Sequence, residues 1–348
     1  MSCEEDYHQE GLDTGKNVFV VEGLLTDASP VCKIKISYAS PYGSTLRDAY
    51  ANGIIFYVTI IDDSLKRTYL DYKDGVYQNL TDSISAKPGH SYKLQIYSRE
   101  LGALYETPFI KMPDKPIVDT IYPKKGIENV ISKNSLDEIV VKKQAGLSFH
   151  IGIHNNSNTK HYEKINTTVL NEIIHVPPHG DYWTVKKLSD VPVIAASYNY
   201  NGLERVNGFK MGFYPYQIGP ELLDSNYYAI SIGWILLTEV YSISPNEYKF
   251  YRIVNQQLNP TYTIFDPIST QIPSNIRLTS DTTQYMLGYF EVASVARENT
   301  YFYVTPNLRY YKINLPDTFT YYPMRFSDGD AWPSFFIWNS NYVLTDSE

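Results

Sequence analysis

Apolar and polar residues alternate with a period of two over most of this chain, and that alternation restricts the fold more than any other feature. In VCKIKISYA, Cys32, Ile34 and Ile36 fall on one side of an extended backbone and Lys33 and Lys35 on the other. SYKLQIYS places Tyr92, Leu94 and Ile96 together. GLSFHIGIHN places Leu147, Phe149, Ile151 and Ile153 together, with Ser148, His150, Gly152 and His154 opposite. Successive side chains of a strand point to opposite faces, so each run predicts a strand with one buried and one wetter face. NVFVVEGLLTD reads as a strand ending in a turn, IIFYVTIIDD as a buried strand ending in a turn, and KRTYLDYKDGVYQN as a hairpin turning at Lys73-Asp74-Gly75. ALYETPFIKM adds one more strand.

These runs recur every 10 to 15 residues from position 17, with turn residues between them and no helical period. That spacing predicts an all-β protein. An immunoglobulin- or transthyretin-like β-sandwich is expected over residues 17–115, after a flexible tether of residues 1–16. KMPDKPIVDTIYPKKG contains Pro113, Pro116 and Pro123 and reads as the boundary. A larger β-rich domain with one or two short helices is expected over 116–348. It includes the apolar segment NYYAISIGWILLTEVYSIS and a strand pair in QYMLGYFEVASVARENTYFYV.

One helix is clear. Ser244-Pro245-Asn246-Glu247 combines an N-cap serine, a proline at the first helical position and a glutamate at the third. Tyr248, Tyr251, Val254 and Leu258 follow at helical spacing, and Asn259-Pro260 stops the run, giving a helix over about 245–258.

Composition narrows the function. A net charge of −8, with no basic stretch interleaved with aromatics, argues against nucleic-acid binding. The 33 tyrosines are the unusual count. Tyrosine suits strands and surfaces that are half dry and half wet. Of the two cysteines, Cys32 reads as a small buried hydrophobe. Cys3 sits in a polar segment, with Ser2 before it and Glu4-Glu5-Asp6 after it. A small residue before a cysteine is the pattern of a bacterial lipoprotein processing site, and multiple acyl chains on Cys3 would anchor the protein stably to a membrane.

No nucleophile elbow, phosphate loop or dinucleotide fingerprint is present. The expectation is therefore a non-enzyme without a cofactor or a metal. A glycoside hydrolase whose two carboxylates lie far apart in the chain stands as the enzymatic alternative. Five of the seven histidines fall between 150 and 179, but His150 and His154 sit four residues apart on one strand, about 13 Å, too far to share an ion. The candidates for binding are aromatic rings next to turns and amides: Tyr182 and Trp183 after a Pro-Pro turn, and Tyr198 and Tyr200 in SYNYNG. Tyr321, Tyr322 and Trp332 form a third group, beside Asp328-Gly329-Asp330.

Four segments in order resemble one family. They are FVVEGLLTDASPVCKIKIS, the KDGVYQN hairpin, PGHSYKLQIY with GALYETPF, and the stretch from EVYSISPNEYKFYRIV to LGYFEVASVA. Together they resemble the domain-of-unknown-function 4249 family of Bacteroidota outer-membrane lipoproteins. The resemblance implies lipidation at Cys3, a surface-exposed position at the outer membrane and a TonB-dependent β-barrel as partner in nutrient uptake. The aromatic rings beside amides suit a glycan or a peptide as the ligand, and a structural or adhesive envelope role is the non-binding alternative. The chain departs from the family in having no cysteine after Cys32, so nothing the family does through a C-terminal cysteine cluster carries over.

Overall fold

A computed structural model describes the backbone over residues 18–39, 47–48, 53–80, 84–133, 138–176, 181–189, 191, 193–215, 218–219, 228–258, 272–304, 310–315 and 345–346. Side chains are described over the same residues except 47–48, 132–133, 139, 172–176, 181–184, 218–219, 228–232, 303–304, 310–315 and 345–346.

The elements follow in chain order. The first nine strands are β1 (Phe19–Thr26), β2 (Lys33–Tyr38), β3 (Arg47–Asp48), β4 (Phe56–Asp62), β5 (Arg67–Lys73), β6 (Val76–Gln78), β7 (Ser91–Ser98), β8 (Ala103–Glu106) and β9 (Ile110–Lys111). Nine more are β10 (Ile117–Lys133), β11 (Ile139–His154), β12 (Tyr162–Val176), β13 (Asp181–Lys187), β14 (Val193–Ala196), β15 (Tyr198–Tyr200), β16 (Leu203–Pro215), β17 (Ile218–Gly219) and β18 (Tyr228–Ile243). Helix α1 (Pro245–Leu258) follows, then β19 (Arg277–Leu278), β20 (Leu287–Val304), β21 (Tyr310–Leu315) and β22 (Thr345–Asp346). The protein is all-β with a single α-helix among the described residues.

The chain divides into two compact units. One comprises residues 1–112 and 267–293, the other 113–266 and 294–348. The division is not the contiguous one expected from the sequence, because 267–293 leaves the C-terminal part and completes the first unit. The reason is pairing. The first seven residues of β20 lie parallel to β1, Val20 opposite Leu287 through Thr26 opposite Ala293.

The first unit is a sandwich. One sheet runs from β20 through β1 to β2, and β2 pairs with both β3 and β6. The other places β4 between β5 and β7, and β7 pairs with β8 and β9. Strand β5 serves both sheets: Arg67–Leu70 pair with β4, and Asp71–Lys73 pair with β6. The turn after it has Asp74 and Gly75 at φ 52° and 84°, the left-handed pair that a two-residue hairpin requires. The alternating residues read from sequence, Ile34, Ile36, Leu94 and Ile96, meet in one core with Val21, Val58, Ile60 and Phe290. Cys32 is fully buried there, its Sγ 3.6 Å from the carbonyl of Leu24. Gly288, at φ +89°, faces Val21 across the parallel pair, and a Cβ there would collide with the Val21 carbonyl.

The second unit also faces two sheets together. One has the order β10, β11, β16, β15. The other centres on β12, which pairs with β13, β14 and β18, and continues from β18 to β20 and β21. Leu147, Phe149, Ile151 and Ile153 of β11 meet Ile165, Val169, Trp234, Leu236 and Phe302 in its core. Removing a ring such as Phe149 from such a site costs about 3–5 kcal/mol.

Three local expectations change. The chain passes from the first unit to the second between Met112 and Pro113, inside the Pro-rich segment, but from Ile117 that segment is a strand, because β10 lies at the edge of its sheet, where Pro123 does not break a ladder. The expected pair in 284–304 is one strand of 18 residues. ALYETPFIKM is two short strands separated at Thr107-Pro108-Phe109. The helix stands as read: Ser244 Oγ accepts the Glu247 N–H at 3.2 Å.

Candidate functional site

Strands β15 and β16 form a hairpin whose turn is Asn201-Gly202, at φ 52° and 83°. Asn-Gly is the residue pair that this mirror-image turn favours. Tyr200 lies opposite Leu203 and Tyr198 opposite Arg205. Tyr198 and Tyr200 are two apart, so they share a face. Their ring centroids are 6.4 Å apart at 87°, and 47% and 46% of each residue is exposed. Asn199 Oδ1 accepts the Gly202 N–H at 3.2 Å. Asn158, from the loop between β11 and β12, holds the hairpin from outside its own strands. Its Nδ2 donates to the Gly202 carbonyl at 3.3 Å and its Oδ1 accepts the Glu204 N–H at 2.6 Å.

Behind the hairpin lies a buried polar network. His161 Nδ1 is 2.6 Å from Glu163 Oε1, and both side chains are shut off from solvent. Ser197 Oγ accepts the His161 N–H at 2.9 Å and donates to Glu204 Oε2 at 2.8 Å. Burial pushes the Glu163 carboxyl up to about 7, against the lowering effect of the His161 hydrogen bond, and its Oε2 has no hydrogen-bond partner among the described residues. On the neighbouring edge, Asp119 lies 2.7 Å from His154 Nδ1 and 3.5 Å from Arg205 Nη1.

Serine, histidine and glutamate meet here, but not in the order of a nucleophilic triad. A triad needs the serine hydroxyl at the free nitrogen of the histidine. Here Ser197 receives the backbone N–H of His161, and His161 Nε2 faces the Glu204 carbonyl at 3.4 Å. The network therefore stiffens the base of the hairpin. Among the described residues, no group of three or more His, Cys, Asp and Glu is placed to hold a metal ion. His150 stacks on Tyr122 at 5.4 Å and its Nδ1 meets the Gly208 carbonyl at 3.0 Å.

A pocket of about 260 Å³ opens elsewhere on the unit, lined by Thr167, Leu188, Met211 and Glu239 among others. Glu239 Oε2 accepts the Tyr241 hydroxyl at 2.6 Å, and Arg297 Nε reaches Oε1 at 3.0 Å. Burial and then Glu239 raise the Tyr241 hydroxyl well above its ordinary value. Lys164 lies between the rings of Tyr241 and Tyr251, 4.9 and 4.8 Å from their centroids, and donates to the Tyr251 hydroxyl at 3.2 Å. Tyr251 comes from α1, so this buried cation fastens the helix to the sheet.

Of the sequence candidates, Tyr198 and Tyr200 stand together as an exposed pair. Tyr182 and Trp183 lie on β13 opposite Ile173 and Glu172 of β12. The Tyr198 end of the unit adjoins Tyr162 of β12, through its partner Ala196. Ten residues of strand separate these places, about 33 Å, so the two pairs do not form one platform. Cys3, His179, Tyr321, Tyr322, Asp328, Asp330 and Trp332 lie outside the described residues. The His161, Glu163, Ser197 and Glu204 network was missed. Its only local sign was the spacing of His161 and Glu163, which puts both on one face of an extended segment. Also missed was an outward tyrosine row in the first unit, Tyr57, Tyr69 and Tyr97, for which alternation was the available signal.

No curated protein matches the chain. The family model described as domain of unknown function (DUF4249) matches residues 4–299, well over half of the 348 residues, and the chain belongs to that family.

Proposed function

We propose that this chain is a non-catalytic binding protein of the cell envelope, held at the outer membrane by acylation of Cys3. It engages a ligand or partner through the Tyr198–Tyr200 hairpin, beside a TonB-dependent transporter. The observation that carries the binding reading is the state of those two rings: perpendicular, half exposed and fixed on a turn pinned by Asn158. A hairpin backbone ordered before binding loses little entropy on contact. The anchoring reading is supported by Ser2 before Cys3 and Glu4-Glu5-Asp6 after it. The transporter reading is supported by the resemblance of the family to transporter-associated lipoproteins.

The test uses the protein expressed with a lipoprotein leader in its native envelope and solubilised in mild detergent. The expected result is incorporation of a labelled fatty acid that a Cys3→Ala change abolishes, and recovery with a stoichiometric β-barrel that Tyr198→Ala/Tyr200→Ala releases. An unlabelled protein recovered from the soluble fraction defeats the anchoring part. Recovery alone, or with a barrel indifferent to the tyrosine changes, defeats the binding part.

A further inference from the structure

The outer face of the β5–β4–β7–β8 sheet of the first unit carries a second aromatic surface, made of different residues. Phe56, Val58 and Ile60 of β4 enter the core, so Tyr57 and Thr59 share the other face, where Tyr57 is exposed and Thr59 is covered. Tyr57 lies opposite Tyr97 of β7, and their ring centroids are 6.1 Å apart. Tyr69 of β5 lies opposite Thr59. Tyr57, Tyr69 and Tyr97 are 55%, 66% and 40% exposed, on three adjacent strands. Thr59, buried between them, makes the floor.

Next to the rings runs a line of polar side chains already tied to one another. Arg67 Nη1 donates to Gln95 Oε1 at 3.2 Å, Gln95 Nε2 donates to Glu106 Oε1 at 2.6 Å, and Lys93 pairs with Glu106 Oε2. Burial alone would raise the Glu106 carboxyl, but the Lys93 and Gln95 hydrogen bonds outweigh it and hold it below its ordinary value. The carboxylate of this row is thus met by Lys93 within the row.

We infer that this face binds a neutral oligosaccharide, the rings of Tyr57, Tyr69 and Tyr97 packing on sugar C–H faces and Arg67, Gln95 and Lys93 meeting the hydroxyls at the sugar edge. Three observations select that occupant. The rings are apolar on their faces and polar at their tips, which matches the two-sided character of a pyranose. The row carries two cations and one carboxylate, but Lys93 is taken by Glu106 and Arg67 Nη1 by the Gln95 amide oxygen, so each charged group already has a partner within the row and an uncharged ligand need break no ion pair. The three rings together offer on the order of 300 Å², the size of a functional patch on a monomer but far below the roughly 800 Å² per partner of a stable protein interface.

The experiment is native gel electrophoresis of the full chain through gels containing soluble starch, xyloglucan, mixed-linkage β-glucan or galactomannan, with alginate as the charged control. The expected result is retardation by at least one neutral polysaccharide. Tyr57→Ala/Tyr97→Ala should weaken it about tenfold or more, since two of the three packing rings are lost. Gln95→Ala should weaken it less, and thermal melting is to confirm that each variant is folded. No retardation in any neutral gel, retardation by alginate alone, or retardation unchanged in the double variant overturns the inference. Loss of retardation in Tyr198→Ala/Tyr200→Ala but not in Tyr57→Ala/Tyr97→Ala also overturns it, and assigns the sugar to the hairpin of the second unit instead. The inference stands or falls independently of the acylation and co-purification experiments.

Discussion

His161 Nδ1 and Glu163 Oε1 meet at 2.6 Å inside the second unit, two residues apart on a chain that enters β12. Burial raises the Glu163 carboxyl to about 7, whereas an unfolded glutamate titrates near 4.3. The folded state therefore holds a proton that the unfolded state releases. A raised folded-state value gives stability that is fully present below about 4.3 and lost as pH rises through about 7. Chemical denaturation from pH 5 to 8 should show stability falling by up to roughly 3 kcal/mol from this group. Glu163→Gln should flatten that part of the profile. An unchanged slope in the variant would place the titration elsewhere.

Asn158 ties the tyrosine hairpin to a loop across the sheet. Its own φ is 48°, a conformation asparagine adopts more readily than alanine. Asn158→Ala removes both side-chain hydrogen bonds and adds backbone strain, at a cost of about 1–3 kcal/mol. The loss should be local: amide exchange should speed up over residues 198–204 while the core strand 147–153 keeps its protection. Faster exchange in both would mean that the loop supports the whole unit.

Two glycine-to-alanine changes should behave oppositely. Gly288→Ala puts a methyl group against the Val21 carbonyl at a φ of +89° and should cost several kcal/mol or abolish folding of the first unit. Gly126→Ala has open space around the added carbon and should shift the melting temperature little. A mild Gly288→Ala phenotype would mean that the parallel β1–β20 pairing is dispensable.

Burial pushes the Cys32 thiol up to about 12, and its backbone N–H is held by Asn79 Oδ1 at 2.8 Å. In a Cys3→Ser variant, a thiol-specific chromogenic reagent should find no fast-reacting group at pH 8 and one after denaturation, since the thiolate is the nucleophile. Rapid reaction in the folded protein would show that the core around Leu24 and Cys32 opens readily.

Tyr198 and Tyr200 were legible as candidates because both stand beside asparagines and a glycine, but the Asn201-Gly202 hairpin and the face the rings share came from the β15–β16 pairing. Tyr182 and Trp183 looked similar locally, yet β12 carries them about 33 Å from the hairpin. The Tyr57, Tyr69 and Tyr97 row has no turn to mark it. Each tyrosine sits in a different strand, and only the β4–β5 and β4–β7 registers bring them side by side. The buried network was hidden for the same reason, since Ser197 and Glu204 reach His161 through pairing of segments more than thirty residues apart.

The sequence by itself determined the all-β class, the inward faces of the alternating strands, the turn at Asp74-Gly75 and the capped helix at Ser244. These depend on side-chain period and on local backbone sterics, which a short stretch carries complete. Only the tertiary structure decided that residues 287–293 return to lie parallel to β1, and that Pro123 lies within an edge strand rather than a linker. It alone put Glu163 out of reach of water and three tyrosines on one outer face. Backbone N–H and C=O groups are the same in every strand, so the ladder itself does not specify a partner. The choice falls to complementary packing of side chains distant in the chain, such as Val21 and Phe290 in one core.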